Sequence, residues 1–138
     1  MSDQAAALAA IHALAFTDTR SWSADEFRTL LADPSAFLTG YAEAFVLGRV
    51  VLDEAEILTL ATHPDLRRQG RARVVLDEFT SEAAKRGAIT AFLEVAADNV
   101  PAVFLYIGAG FEEIARRRGY YRKTDGSTVD SVILRRSI

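Results

Sequence analysis

Leu58-Thr59-Leu60-Ala61-Thr62-His63-Pro64-Asp65-Leu66-Arg67-Arg68-Gln69-Gly70-Arg71-Ala72 is the stretch on which the fold turns. An apolar strand runs into a Pro-Asp turn, then a loop of arginine, glutamine and glycine, then an amphipathic helix. The first N–H groups of a helix have no intrahelical acceptor, so a bare helix start is an anion site. Gly70 lets a ligand approach the backbone closely and opens conformations closed to other residues. Ala72 keeps the first turn slim, and Arg67, Arg68, Arg71 and Arg73 ring it with positive charge. An ordinary strand-loop-helix joint with a solvated basic edge is equally open on these residues alone.

Working outward, residues 71–86 place Ala72, Val75, Leu76, Phe79 and Ala83 at helical spacing, with Arg73, Asp77, Glu78, Glu82 and Lys85 on the other side. The run Ile89-Thr90-Ala91-Phe92-Leu93-Glu94-Val95 is a strand, apolar enough to be expected buried on both faces. A strand-helix-strand crossover makes this part of the sheet parallel. Asp98-Asn99, with Pro101 in the first turn, starts a further helix to about Ile107. Two last strands, 111–121 and 128–136, flank the turn Thr124-Asp125-Gly126-Ser127.

Upstream, Ser2 caps a helix over 3–15 with Leu8, Ile11, Leu14 and Ala15 inward and His12 contributing to its polar side. Ser23-Ala24-Asp25-Glu26 reads as a capping box, with Trp22 and Phe27 as its hydrophobic staple, and starts a helix over 24–32. Trp22 has a second reading, beside a substrate cleft. Strands follow at 36–40, 42–51 and 54–62, the last two joined by a hairpin turn. The expectation is one domain over 1–138, a mixed α/β sandwich.

Half of the 138 residues are hydrophobic and a quarter charged, the profile of a globular protein. The net charge is −3, with positive charge concentrated at 67–73 and 116–123. That unevenness suits a phosphate-bearing small molecule better than nucleic acid. No cysteine is present, and His12 and His63 are too far apart for a ligand cluster, so no metal is expected. The apolar run 5–11 is too short to span a bilayer and lacks a basic leader, so a cytoplasmic protein without membrane partner is expected, a monomer or weak homodimer.

Two side chains and one run stand out for chemistry. Glu94 lies in an apolar strand, where a low dielectric moves a carboxylate toward neutrality and suits it to act as a base. The bland reading is a strand-end glutamate paired with an arginine. Tyr106 follows Asn99 and Ala102 at roughly helical spacing, so the three can line one groove. A phenol near 10 can hand its proton to a leaving thiolate, though an aromatic packed on Phe104 or Phe111 is the ordinary alternative. Arg116-Arg117-Arg118-Gly119-Tyr120-Tyr121 is either a solvated strand edge or a wall for a peptide.

Arg67-Arg68-Gln69-Gly70-Arg71-Ala72 matches the Q/R-x-x-G-x-G/A signature of the GNAT superfamily of N-acetyltransferases, in the strand-to-helix context that signature requires. Leu93-Glu94-Val95, Asn99 to Ala102, and Leu105-Tyr106 through Gly110-Phe111 resemble the motifs of its RimI branch, the ribosomal-protein alanine acetyltransferases. Arg116 to Tyr121 and Asp125-Gly126 are similar to that branch's ending. Gly119 and Arg122 replace its usual asparagine and proline, Arg71 stands at a usually aliphatic position, and Ala72 replaces the second glycine.

The resemblance implies a mostly antiparallel central sheet with helices on both faces and the family's first strand missing or stunted. It implies acetyl-CoA as donor and a protein N-terminal α-amine as acceptor. Leu60, Ala61 and Thr62 would hold the thioester, Arg67, Arg68, Gln69, Gly70, Arg71, Ala72 and Arg73 the diphosphate end, and Asn99 the pantetheine. Glu94 is then the general base, Tyr106 the general acid beside the cofactor, and Trp22, Tyr120 and Tyr121 meet the substrate. Acetylation of a small amine, and a non-catalytic acyl-CoA-binding module, are the competing readings.

Overall fold

The computed structural model describes residues 4–16, 20–41, 43–67 and 69–138. The elements run α1 (Gln4–Ala15), α2 (Ala24–Leu31), β1 (Ala36–Tyr41), β2 (Ala44–Val51), β3 (Glu54–Thr62), a 3-10 turn (Pro64–Leu66), α3 (Arg71–Lys85), β4 (Thr90–Ala96), α4 (Val100–Gly108), β5 (Glu112–Arg122) and β6 (Thr128–Ser137). One six-stranded sheet has the order β1-β2-β3-β4-β6-β5, antiparallel except where β3 meets β4. Ser2 and Ala42 lie outside the described residues.

The sheet carries a core on each face. Toward α3 and α4, Val46, Ile57, Leu76, Phe79, Leu93, Tyr106, Phe111 and Leu134 pack together. Toward α1 and α2 lie Leu8, Phe27, Phe45, Leu47 and Ala61. Period-2 alternation on β2 feeds both, Phe45 and Leu47 to one side and Ala44 and Val46 to the other.

β3 does not keep this alternation. Leu47 pairs with Thr59 and Gly48 with Ile57, so Leu58 is an extra residue with no partner on β2. An inserted residue shifts the phase of every side chain after it and bends the strand. Ala55 and Ile57 accordingly face α3, whereas Thr59 and Ala61 face α1 and α2, and Leu60 is turned toward α3. Gly48 sits across from the insertion because a Cβ there would lie 2.4 Å from the Phe79 ring.

The expectation that β4 is buried on both faces is corrected. Ala91 and Leu93 are buried on the α3 side, but Phe92 and Glu94 are only half-buried and Ile89 is exposed. The second core draws on α1, α2 and β1 to β3 and stops there, leaving this face of β4 uncovered among the described residues.

The inward face of α1 also differs from expectation. Leu14 is half-exposed, and His12 is buried in its stead. Its ring stacks between Phe16 at 4.4 Å and Trp22 at 5.2 Å, with Phe27 on edge. The Trp22 backbone N–H donates to Nδ1 at 3.1 Å, so the proton of the neutral ring sits on Nε2, 3.2 Å from the Thr59 hydroxyl. His12 therefore ties α1 to the start of α2 and to β3.

Burial pulls the His12 imidazole down to about 4, with Glu26 opposing and Arg20 assisting. The unfolded chain binds this proton near 6.5, so stability is complete above that pH and falls as pH drops toward 4. Urea unfolding from pH 7 to 5 should show a loss of roughly 2 kcal/mol from this group. The His12→Gln protein should be less stable at pH 7 and should lack that part of the slope.

Candidate functional site

The site begins where β3 and β4 part. They pair only through Glu54–Thr90, Ala55–Ala91 and Glu56–Phe92. Beyond those pairs β3 stays bonded to β2 as far as Thr62, and β4 to β6 as far as Ala96, so their facing edges diverge. The bulge at Leu58 lies at the point of divergence and supplies the bend. Between the edges is a slot lined by unpaired backbone donors and acceptors, suited to an extended ligand that carries amides of its own. Thr62, at the open end of β3, has a buried hydroxyl with no hydrogen-bond partner among the described residues.

The anion end follows from the loop. His63 caps the 3-10 turn by accepting from the Asp65 N–H at 3.1 Å, the place of a turn residue. Gly70 is the N-cap of α3 in the left-handed region, φ 76°, and the space where a side chain would stand is open. Among the described residues no side chain caps α3, and no acid occupies its first turn. By contrast α2 has both halves of the Ser23–Glu26 capping box. The first intrahelical bond of α3 reaches Gly70 from Val74, so the Arg71, Ala72 and Arg73 amides point into open space.

The arginines around it divide. Arg71 is exposed and meets Gln69 through Nε to Oε1 at 3.4 Å. Arg73 is drawn to Asp77 at 3.0 Å and to the Gly108 carbonyl at 3.1 Å, tying α3 to the end of α4. Arg67 reaches the Ala15 carbonyl at 3.3 Å. Arg68 lies outside the described residues.

Asn99 caps α4, its Oδ1 accepting from the Ala102 N–H at 3.4 Å, so it sits at the start of the helix that carries Tyr106. Tyr106 is core, 5% exposed, with its ring edge-on to Phe111 at 5.7 Å. Its hydroxyl has no hydrogen-bond partner among the described residues. Burial, helped by Tyr121, raises this phenol well above the ordinary 10, so it keeps its proton throughout the neutral range.

Glu94 alternates with Leu93 and Val95 and so projects from the opposite face of β4, the uncovered one. Its surroundings are not dry. Oε2 accepts from Ser131 Oγ at 2.5 Å and pairs with Arg117 Nε at 3.1 Å, while the Tyr121 hydroxyl donates to the Glu94 carbonyl at 3.3 Å. Burial and the neighbouring Glu94 push the Tyr121 phenol up to about 12, against a lowering pull from Arg117. Tyr120 is half-exposed, edge-on to Tyr121 at 5.1 Å and 4.7 Å beneath the Arg117 guanidinium.

Glu94, Tyr120 and Tyr121 are thus brought together, and Tyr121 is near enough to Tyr106 to help hold its phenol up. Trp22 is a staple and core residue, 5.5 Å from Phe27 and stacked on His12. Sequence reasoning missed Ser131, whose signal, a hydroxyl in the apolar strand Val129 to Leu134, acquires meaning only once β6 is placed beside β4. Among the described residues no cluster of His, Asp or Glu could hold a metal, and no helix is long and apolar enough to cross a membrane.

The acetyltransferase (GNAT) family model matches residues 6–111. Over 95 residues the chain is 44% identical to ribosomal protein bS18-alanine N-acetyltransferase of Escherichia coli K12, covering 69% of this chain and 64% of that protein's length. It is 33% identical to N-alpha-acetyltransferase RimI of Mycobacterium tuberculosis over 93% of this chain and 83% of that one. The crystal structure of the Escherichia coli ribosomal-protein-S18-alanine N-acetyltransferase superposes with a TM-score of 0.88 at 34% identity, over all of this chain and 90% of that one. The chain belongs to the GNAT family.

Because Asn99 holds the start of the helix that carries Tyr106, its cap is a stability element of the site. Asn99→Ala should cost about 1 kcal/mol in urea unfolding, and Asn99→Asp, which keeps the accepting oxygen, should avoid most of that loss.

Proposed function

We propose that this member of the GNAT family moves an acetyl group from acetyl-CoA to the α-amine of a protein N-terminus, with the N-terminal alanine of a small-subunit ribosomal protein as acceptor. The observation that carries the reading is the early end of β3–β4 pairing, which opens a slot between an uncapped helix start and Glu94. The names of the relatives at 44% and 33% identity favour the same reaction.

In this reading the diphosphate rests on the amides that begin α3, with Gln69, Gly70 and the arginines of residues 67–73 around it. The pantetheine arm lies along the free edge of β3 past Asn99, and the thioester meets Leu60, Ala61 and Thr62, whose amides steady the oxyanion. Glu94 takes a proton from the acceptor ammonium and the amine attacks the carbonyl carbon. As the carbon–sulfur bond breaks, Tyr106 gives its proton to the departing thiolate, and the nitrogen sheds its second proton to water as the amide forms. Holding amine and thioester in one slot supplies much of the acceleration. Tyr120 and Tyr121 lie toward the acceptor.

The basic run 116–118 is a weaker barrier to a cationic acceptor than its sequence suggests. Arg116 is paired with Glu113 at 3.3 Å and faces Asp130 at 3.8 Å, and Arg117 is paired with Glu94.

Incubation with acetyl-CoA and a peptide beginning Ala-Arg should release free CoA and place the acetyl group on the α-nitrogen, read by mass spectrometry. Glu94→Gln should slow transfer by about 10²–10⁴-fold and leave CoA affinity by calorimetry nearly intact. Normal turnover in that variant would remove Glu94 from the mechanism. Transfer to polyamines but to no peptide would replace the acceptor class.

A further inference from the structure

Glu94 already holds a cation. Arg117 Nε lies 3.1 Å from Oε2, on the uncovered face of β4 where an acceptor's ammonium has to arrive. The Arg117 side chain is 53% exposed, against 22% for Glu94. An ion pair with one partner so exposed is weak and easily exchanged.

Two features make the exchange orderly. Ser131 is fully buried in β6 and donates to the same oxygen from behind, so the carboxylate keeps an anchor when Arg117 leaves. The guanidinium also lies 4.7 Å above the Tyr120 ring, a second resting place for a cation. The backbone is shaped to bring these groups round. Arg117 pairs with Ser131 and Tyr121 with Val129, so residues 118–120 stand opposite Asp130 alone. Gly119 turns there at φ 57°, and its N–H donates to Asp130 Oδ1 at 3.0 Å. This outsized bulge curls the edge strand so that Arg117 and Tyr121 both reach Glu94.

We propose that Arg117 is an exchangeable counter-cation for Glu94, occupying the seat of the acceptor ammonium in the empty groove and moving onto Tyr120 when a free N-terminus enters. The proposal rests on the reading of Glu94 as the group that receives the acceptor. One cation replaces another, so the carboxylate is never left unpaired. An uncharged or already acetylated end cannot displace Arg117, which makes the exchange a selection for a free amine. Once acetylated, the product loses its charge and its claim on Glu94, and the returning guanidinium favours release.

The test is the Arg117 Nε–H resonance of the ¹⁵N-labelled full chain with CoA bound, assigned by its loss in Arg117→Lys. A peptide beginning Ala-Arg should shift that resonance, and the same peptide acetylated at its N-terminus should leave it in place. Equal shifts from both peptides, or none from either, would overturn the exchange. Kinetically, Arg117→Ala should lower the peptide KM by about two- to fivefold with kcat little changed, while Arg117→Lys behaves as the parent. A raised KM would make Arg117 part of the acceptor wall instead. Ser131→Ala should do the opposite, lowering kcat roughly tenfold at constant KM. If the amine peptide shifts the resonance but no peptide is acetylated, the exchange stands and the proposed reaction fails.

Discussion

One inserted residue in one strand governs the rest. A β-ladder has a strict side-chain period of two, so Leu58, unpaired on β2, rotates everything after it by half a repeat. Before it, Ala55 and Ile57 supply the core under α3. After it, Thr59 meets His12 and Ala61 joins the core under α1 and α2. The same insertion bends β3 away from β4 after three residue pairs. A regular strand in its place would keep the ladder closed, and the backbone groups of residues 57–62 would be spent on β4.

The slot works because its two sides are finished differently. The α3 side is dry and filled, with Tyr106 locked among Leu93, Phe111 and Val132. The other side is left open past β3, since the second core ends there. Glu94 on β4 therefore stands on the open face, and the Tyr106 phenol, which keeps its proton, on the filled one.

Electrostatics near the slot are arranged more by pairing than by net charge. The start of α3 has exposed amides and no acid to quench them, whereas Arg73 is turned away to Asp77 and Gly108. At the far end Arg116 and Arg117 of β5 are met by Glu113, Asp130 and Glu94. The positive character of the helix start thus comes from backbone dipoles, supplemented by Arg71, more than from the full count of arginines around it.

Local chemistry was enough to determine the elements. The capping box of α2, the apolar spacing of α3, the Asn99-Pro101 start of α4 and the hairpin at 50–55 are short-range signals, and each element lies within about two residues of its expected place. Gly70, Glu94 and Tyr106 were legible as candidates because their residue types are costly or unusual where they stand. The tertiary structure decided what each side chain faces. Whether His12 is polar surface or buried tie, and whether Glu94 is dry or held by Ser131 and Arg117, depend on register and on which face is covered. Those are long-range properties, set by a bulge that apolar residues on both sides of it conceal from the sequence.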